Sequence, residues 1–205
     1  MGEYKDEELY TFGTYAAWGA TITKAVYLLV NFNLWSVIRF LPDLALTVFE
    51  MSKEFDMGDL VPEDIYDMIF YVIYTRHAAA YMGEAVAFVL GIVFGDGSTG
   101  LPVLIDEYYF NAAFPTTFSF DNMYIMKTLS WWLKLASLVL KELGGPLFDK
   151  CFGELNIAYA LVWDLANDVL ANLDFNFGGA IDQAIWMLPW YAIGWFVFDG
   201  EVDDF

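Results

Sequence analysis

Basic residues are scarce in this chain, and so are the side chains that build metal and redox sites. Its 205 residues hold nine Lys and Arg against 28 Asp and Glu, with one histidine and one cysteine. Cys151 alone cannot form an intrachain disulfide, so no oxidised framework holds the fold. A structural zinc site needs four nitrogen or sulfur ligands, which one histidine and one cysteine do not supply. Haem held by two histidines of this chain is excluded because His77 stands alone. The basic footprint of a nucleic-acid binder is missing. A net charge of −19 also opposes general attraction to anionic lipid headgroups. No glycine-rich phosphate loop, Gly-x-Ser-x-Gly or His-Glu-x-x-His motif occurs. No catalytic residue, metal or cofactor is therefore assigned, and the chain reads as a non-enzyme.

What the chain has in abundance is apolar surface. Hydrophobic residues make up 59% of it and aromatics 20%, against about 45–50% apolar in ordinary soluble domains. Side chains on this scale call for a bilayer or a large partner to cover them, while the acids mark segments that face water. Alternating strand patterns are scarce. The reading is an all-α, membrane-embedded helical protein: one domain over 1–205, about two to four apolar segments, one amphipathic interfacial helix and acidic extramembrane loops. The start, MGEYKDEELY, places Asp6, Glu7 and Glu8 together and lacks the basic opening of a secretory signal. Internal hydrophobic segments are therefore expected to direct any insertion.

Residues 11–32 are apolar except for Lys24, with Gly13, Ala17 and Ala20 recurring at helical spacing, as small residues do where helices approach closely. Pro42 is expected to begin a second, amphipathic helix. The acidic stretch 52–67 reads as a loop, with Pro62-Glu63-Asp64 opening the next helix. Residues 78–95 are the strongest span candidate, since about 20 apolar residues cross a bilayer. Asp96 to Gly100 breaks the run, and 101–121 reads as an ordered loop rich in aromatics. Helices follow over 122–143, ended by Gly144-Gly145-Pro146, and over 152–173 and 180–198. Residues 78–95 and 185–198 are apolar all round, which predicts that they lie in lipid or against partner helices.

Four groups of residues stand out for chemistry. Arg76, His77 and Glu84 share a predicted helix, with His77 and Glu84 seven apart; a charge in a membrane usually pairs or serves an ion path, so these are proton- or ion-path candidates, or polar glue between helices. Lys127, Lys134 and Lys141 recur every seven residues beside Trp131 and Trp132. That stripe suits an interfacial helix with its lysines toward headgroups or acidic partner loops. Asp164, Asn167 and Asp168 offer oxygen ligands at helical spacing, more simply read as a solvated face. Tryptophans at 186, 190 and 195 fit a helix near headgroups.

Broad apolar surface without active-site motifs points to an accessory or structural subunit of a large membrane complex. The class suggests an energy-transducing one, respiratory chain or ATP synthase, in a mitochondrial inner membrane, although no motif names either. Other membrane subunits and lipids are the expected partners, with no nucleic acid. The alternatives are a proton- or ion-conducting subunit built on Arg76, His77 and Glu84, and a pigment- or lipid-binding membrane protein.

Overall fold

The first two helices begin where the sequence supplies a capping side chain. A computed structural model describes residues 5–94, 118–171 and 177–198, with all side chains there except those of Trp35, Glu84, 87–94, 167–171, 177–184 and Trp186. Among the described residues every regular element is helical. Helix α1 (Glu7–Val30) is capped by Asp6, whose carboxylate accepts from the Leu9 amide at 3.1 Å, with Glu7 and Glu8 in its positive first turn. Helix α2 (Leu34–Glu54) is capped by Asn33, which accepts from the Ser36 amide at 3.0 Å. Helix α3 (Glu63–Phe94) starts after Pro62 with two acids. A short 3₁₀ turn (Asp121–Met123) leads into α4 (Tyr124–Gly144). Helices α5 (Leu147–Cys151), α6 (Glu154–Ala171) and α7 (Phe177–Phe198) complete the order.

Pro42 does not begin a helix; it lies inside a continuous α2. An interior proline forfeits one backbone hydrogen bond and costs about 3 kcal/mol relative to alanine. Here the cap at Asn33 starts the helix earlier, and packing holds it through the proline. Pro189 is likewise inside α7.

Helices α1 and α4 pack against each other more closely than any other pair. Glycine makes that approach possible. A Cβ at Gly144 would meet the Tyr10 amide nitrogen at 2.5 Å and the Asp6 carbonyl at 2.6 Å; one at Gly13 would meet the Lys141 side chain at 2.7 Å. The Asp6 amide donates to the Gly144 carbonyl at 3.0 Å, tying the start of α1 to the end of α4. On the other side of the molecule α3 packs on α6 and α7, and α5 fits between α3 and α7. The core there gathers Phe70, Tyr74, Leu138, Phe152, Trp190 and Tyr191.

The all-α part of the sequence reading holds, while its membrane-embedded part gains no support. Among the described residues no helix is long and apolar enough to cross a membrane. The apolar runs are interrupted by charges that the structure turns inward. The segments expected to lie wholly against lipid or partners also divide by face. Ala78, Ala79, Met187, Trp190 and Tyr191 are buried in the chain's own core, while Ile185, Leu188, Phe196 and Val197 are exposed. The side chains of 87–94 lie outside the described residues.

Gly144→Ala is expected to lower stability by about 1–3 kcal/mol, because backbone atoms cannot rotate out of the way of the new methyl. Gly153→Ala is the control: a Cβ there meets nothing closer than 3.9 Å. Equal unfolding midpoints for the two variants would remove the close crossing from the account.

Candidate functional site

A set of polar side chains, among them Glu50 and Lys141, is gathered on the inside of this fold. Helix α4 turns its lysine face toward α1, α2 and α3, and matching carboxylates meet it. Lys141, fully buried, points its ammonium at Glu50, 3.4 Å away. Glu50 also accepts from the Trp18 indole at 2.8 Å and, at the limit of hydrogen bonding, from the Tyr66 hydroxyl at 3.5 Å. The rings of Tyr10, Phe70 and Tyr74 surround the same ammonium, with centroids at 4.9, 4.7 and 4.7 Å, so cation–π attraction adds to the ion pair. Burial pulls the Lys141 pKa below the ordinary lysine value, with Glu50 opposing.

One heptad back, Lys134 donates to Asp43 at 2.7 Å, and His77 Nε2 lies 2.8 Å from the same carboxylate oxygen. Burial pushes the Asp43 carboxyl up, but Lys134 and His77 outweigh it, and it ends well below the usual carboxylate range. Burial lowers the His77 pKa; Asp43 resists, and Lys134 and Arg76 add to the lowering. At neutral pH His77 is thus a neutral imidazole whose Nε2–H donates to ionised Asp43. Between the two ion pairs, Thr47 donates to Thr21 at 2.8 Å, and Tyr74 shares a hydrogen bond with Ser137 at 3.3 Å.

Beyond Lys134 the seam opens into a cleft of about 370 Å³. Lys24, Arg39, Lys127 and Lys134 line it, with Asp43 and His77 at its inner end. Among the described residues that line it, four are basic and one is a carboxylate, in a chain where acids outnumber bases 28 to nine. Burial lowers the Lys24 pKa, its neighbour Lys127 lowers it further, and Asp43 opposes.

No protein-family model matches the chain, and no curated protein or solved structure matches it either. The site must therefore be read from its own geometry.

The structure separates residues that the sequence groups together. Arg76 pairs with Asp164 at 2.5 Å, which also accepts from the Tyr191 hydroxyl at 2.7 Å, so α3, α6 and α7 are clamped together. His77 belongs to the Asp43 cluster. Arg76 and His77 thus serve different clusters, and the side chains of Glu84, Asn167, Asp168 and Trp186 lie outside the described residues. Among the described residues no group of three or more His, Cys, Asp or Glu gathers as a metal site would need. The lysine stripe divides: Lys134 and Lys141 point into the protein rather than toward headgroups, while Lys127 is exposed. Apart from Lys127, the residues exposed on α4 are apolar: Trp132, Val139 and Leu143. Trp131 is half-buried and packs on Tyr81, with ring centroids 4.9 Å apart and planes tilted by 59°. Asp43, Glu50, Lys24 and Arg39 are the residues that sequence reasoning missed. The signal that finds two of them is present: Asp43 and Glu50 are seven apart, as are Lys134 and Lys141.

Lys141→Met is expected to cost about 3–5 kcal/mol, because it leaves Glu50 charged and buried without its cation. Adding Glu50→Gln should restore much of the loss in a denaturant titration; a double variant as weak as the single one would show that the pair itself carries the stability. The histidine sets an acid limit. A pKa lowered on folding means the unfolded chain takes up the proton first, so stability present above the ordinary value of 6.5 is lost as pH falls below it. Asp43, also lowered, adds a further loss below its ordinary 3.8. With one histidine in the chain, His77→Asn should flatten the stability slope between about pH 5 and 7, and a slope unchanged in that variant would refute the assignment.

Proposed function

We propose that the chain is an accessory, non-catalytic subunit of a larger membrane-associated assembly, whose partner helices and lipids cover its outer faces. One observation carries this reading: exposed apolar residues recur at the spacing of a buried helix face. Tyr15, Ile22 and Leu29 form such a stripe on α1, Leu34, Leu41 and Val48 on α2, and Leu155, Tyr159 and Val162 on α6. Leu29 is 83% exposed and Leu155 71%. Scattered surface leucines are ordinary, but apolar stripes along several helices mark surfaces made to be covered. The inner faces of the same helices bury small residues and paired charges, so each helix has two packed sides and the chain alone occupies one.

The charge distribution supports the same reading. Lys134 and Lys141 are neutralised by Asp43 and Glu50 within the chain, so these stripes can meet an apolar neighbour without stranding either charge. A conducting role built on Arg76 and His77 draws no support from the geometry, because each is held by its own carboxylate.

A tagged full chain, isolated from its native membranes in mild detergent, should co-purify in a particle many times its own 23.4 kDa. Placing Asp at both Ile22 and Leu29, which touch nothing essential inside, should release it from the particle while leaving helix content unchanged. A monodisperse monomer in detergent-free buffer, indifferent to those two substitutions, would contradict the proposal.

A further inference from the structure

The register of the buried seam leaves one lysine without its acid. Lys141 meets Glu50 and Lys134 meets Asp43. One more heptad back, Lys127 falls opposite position 36, which holds Ser36 rather than an aspartate or glutamate. Lys127 has no ion pair among the described residues, and neither has Lys24. Their ammonium groups nevertheless converge. Lys127 Nζ is 5.9 Å and Lys24 Nζ 5.7 Å from the centroid of the same ring, Tyr27. Two cations held on one ring repel; Asp43 attracts Lys24 from a distance, but among the described residues no carboxylate pairs with either lysine as Glu50 and Asp43 pair with theirs.

Both lysines and Ser36 open onto the cleft, where Arg39 adds a further cation. Its volume of about 370 Å³ lies within the range of small-molecule sites, roughly 300–1,000 Å³. That is more room than a bare tetrahedral ion needs. Tyr81, Tyr124 and Trp131 line the remaining wall, which suits an apolar portion attached to the ion.

We propose that this cleft binds a phosphate-type oxyanion, held by Lys24 and Lys127 with Ser36 and Arg39 beside it, in the place where the seam lacks its third carboxylate. A phosphate monoester on a lipid and free phosphate share this chemistry. The strongly acidic chain repels anions at long range, so recognition here is local, through charge-assisted hydrogen bonds that Lys supplies to phosphate oxygens. The assignment stands apart from the accessory-subunit reading, since it concerns an open cleft where Lys127 and Arg39 are exposed, and not the apolar stripes.

The test uses the full chain and two probes. The first is inorganic phosphate against chloride at equal ionic strength, read as the thermal unfolding midpoint. The second is flotation with phosphatidylcholine vesicles, with and without phosphatidate. Binding of either phosphate source is expected in the wild type. In K24Q/K127Q the affinity should fall about a hundredfold, the effect of two lost contacts at about tenfold each. K24R/K127R, which keeps the charge, should retain binding. Without any anion, the K24Q/K127Q midpoint should equal or exceed that of the wild type, because a repulsive pair has been removed. S36D should raise the midpoint and abolish the response, by building the missing carboxylate into the seam. A response to inorganic phosphate identifies a soluble ligand; a response confined to phosphatidate vesicles identifies a headgroup. The proposal is overturned if neither probe binds, if K24Q/K127Q binds as the wild type does, if S36D still responds, or if K24Q/K127Q fails to fold.

Discussion

An ammonium ion cannot be taken out of water into a helical core unless a counter-charge waits within contact distance. Lys134 and Lys141 impose that condition, and the arrangement of the first four helices follows from it. Helix α2 is reached from α4 by these long side chains more than by backbone packing. Helix α1 fits closely enough for Trp18 to bond to Glu50 only because Gly13 lets it approach Lys141. His77 brings α3 to the same carboxylate as Lys134. The two carboxylates thus fix the relative height of four helices. A slip by one heptad would set Lys141 against Asp43, Lys134 against Ser36, and leave Glu50 buried without a cation.

Placing charge inside has a counterpart outside. A chain that is 59% hydrophobic and carries a net charge of −19 meets both facts by pairing Lys134 and Lys141 with acids in the seam, leaving apolar stripes on the outer faces of α1, α2 and α6. The remaining acids cluster near helix starts and in loops, as at Asp6–Glu8 and Asp56–Asp64, where they favour the helix dipole or face water. The fold therefore presents polar ends and apolar sides.

The helices are legible in the sequence because their punctuation is local. Pro62-Glu63-Asp64 opens α3, and Gly144-Gly145-Pro146 closes α4, where the residues say they should. Pro42 misleads because a proline's cost is local while the packing that outweighs it is not. The lysine heptad is legible as a stripe but not in direction. On an isolated helix, a polar stripe beside an apolar one points to water, and only the matching heptad on α2 reverses that inference. Arg76 and His77 are adjacent in sequence, yet successive helix positions point about 100° apart, so each finds a different acid. Their partners, Asp164 and Asp43, lie on other helices, and pairings of that kind do not appear in the spacing of any one segment.

The bond between the Asp6 amide and the Gly144 carbonyl also sets an order of events. The surface that α1 needs is on α4, and all of α2 and α3 is synthesised between them. Until Tyr124–Gly144 leaves the ribosome, Ala17, Ala20 and Leu28 of α1 have no native place to go. Such distant pairing slows folding and prolongs the exposure of apolar faces. A nascent chain of this sequence thus exposes apolar faces to chaperones while α2 and α3 are made, and α1, made before α4, is locked only after it.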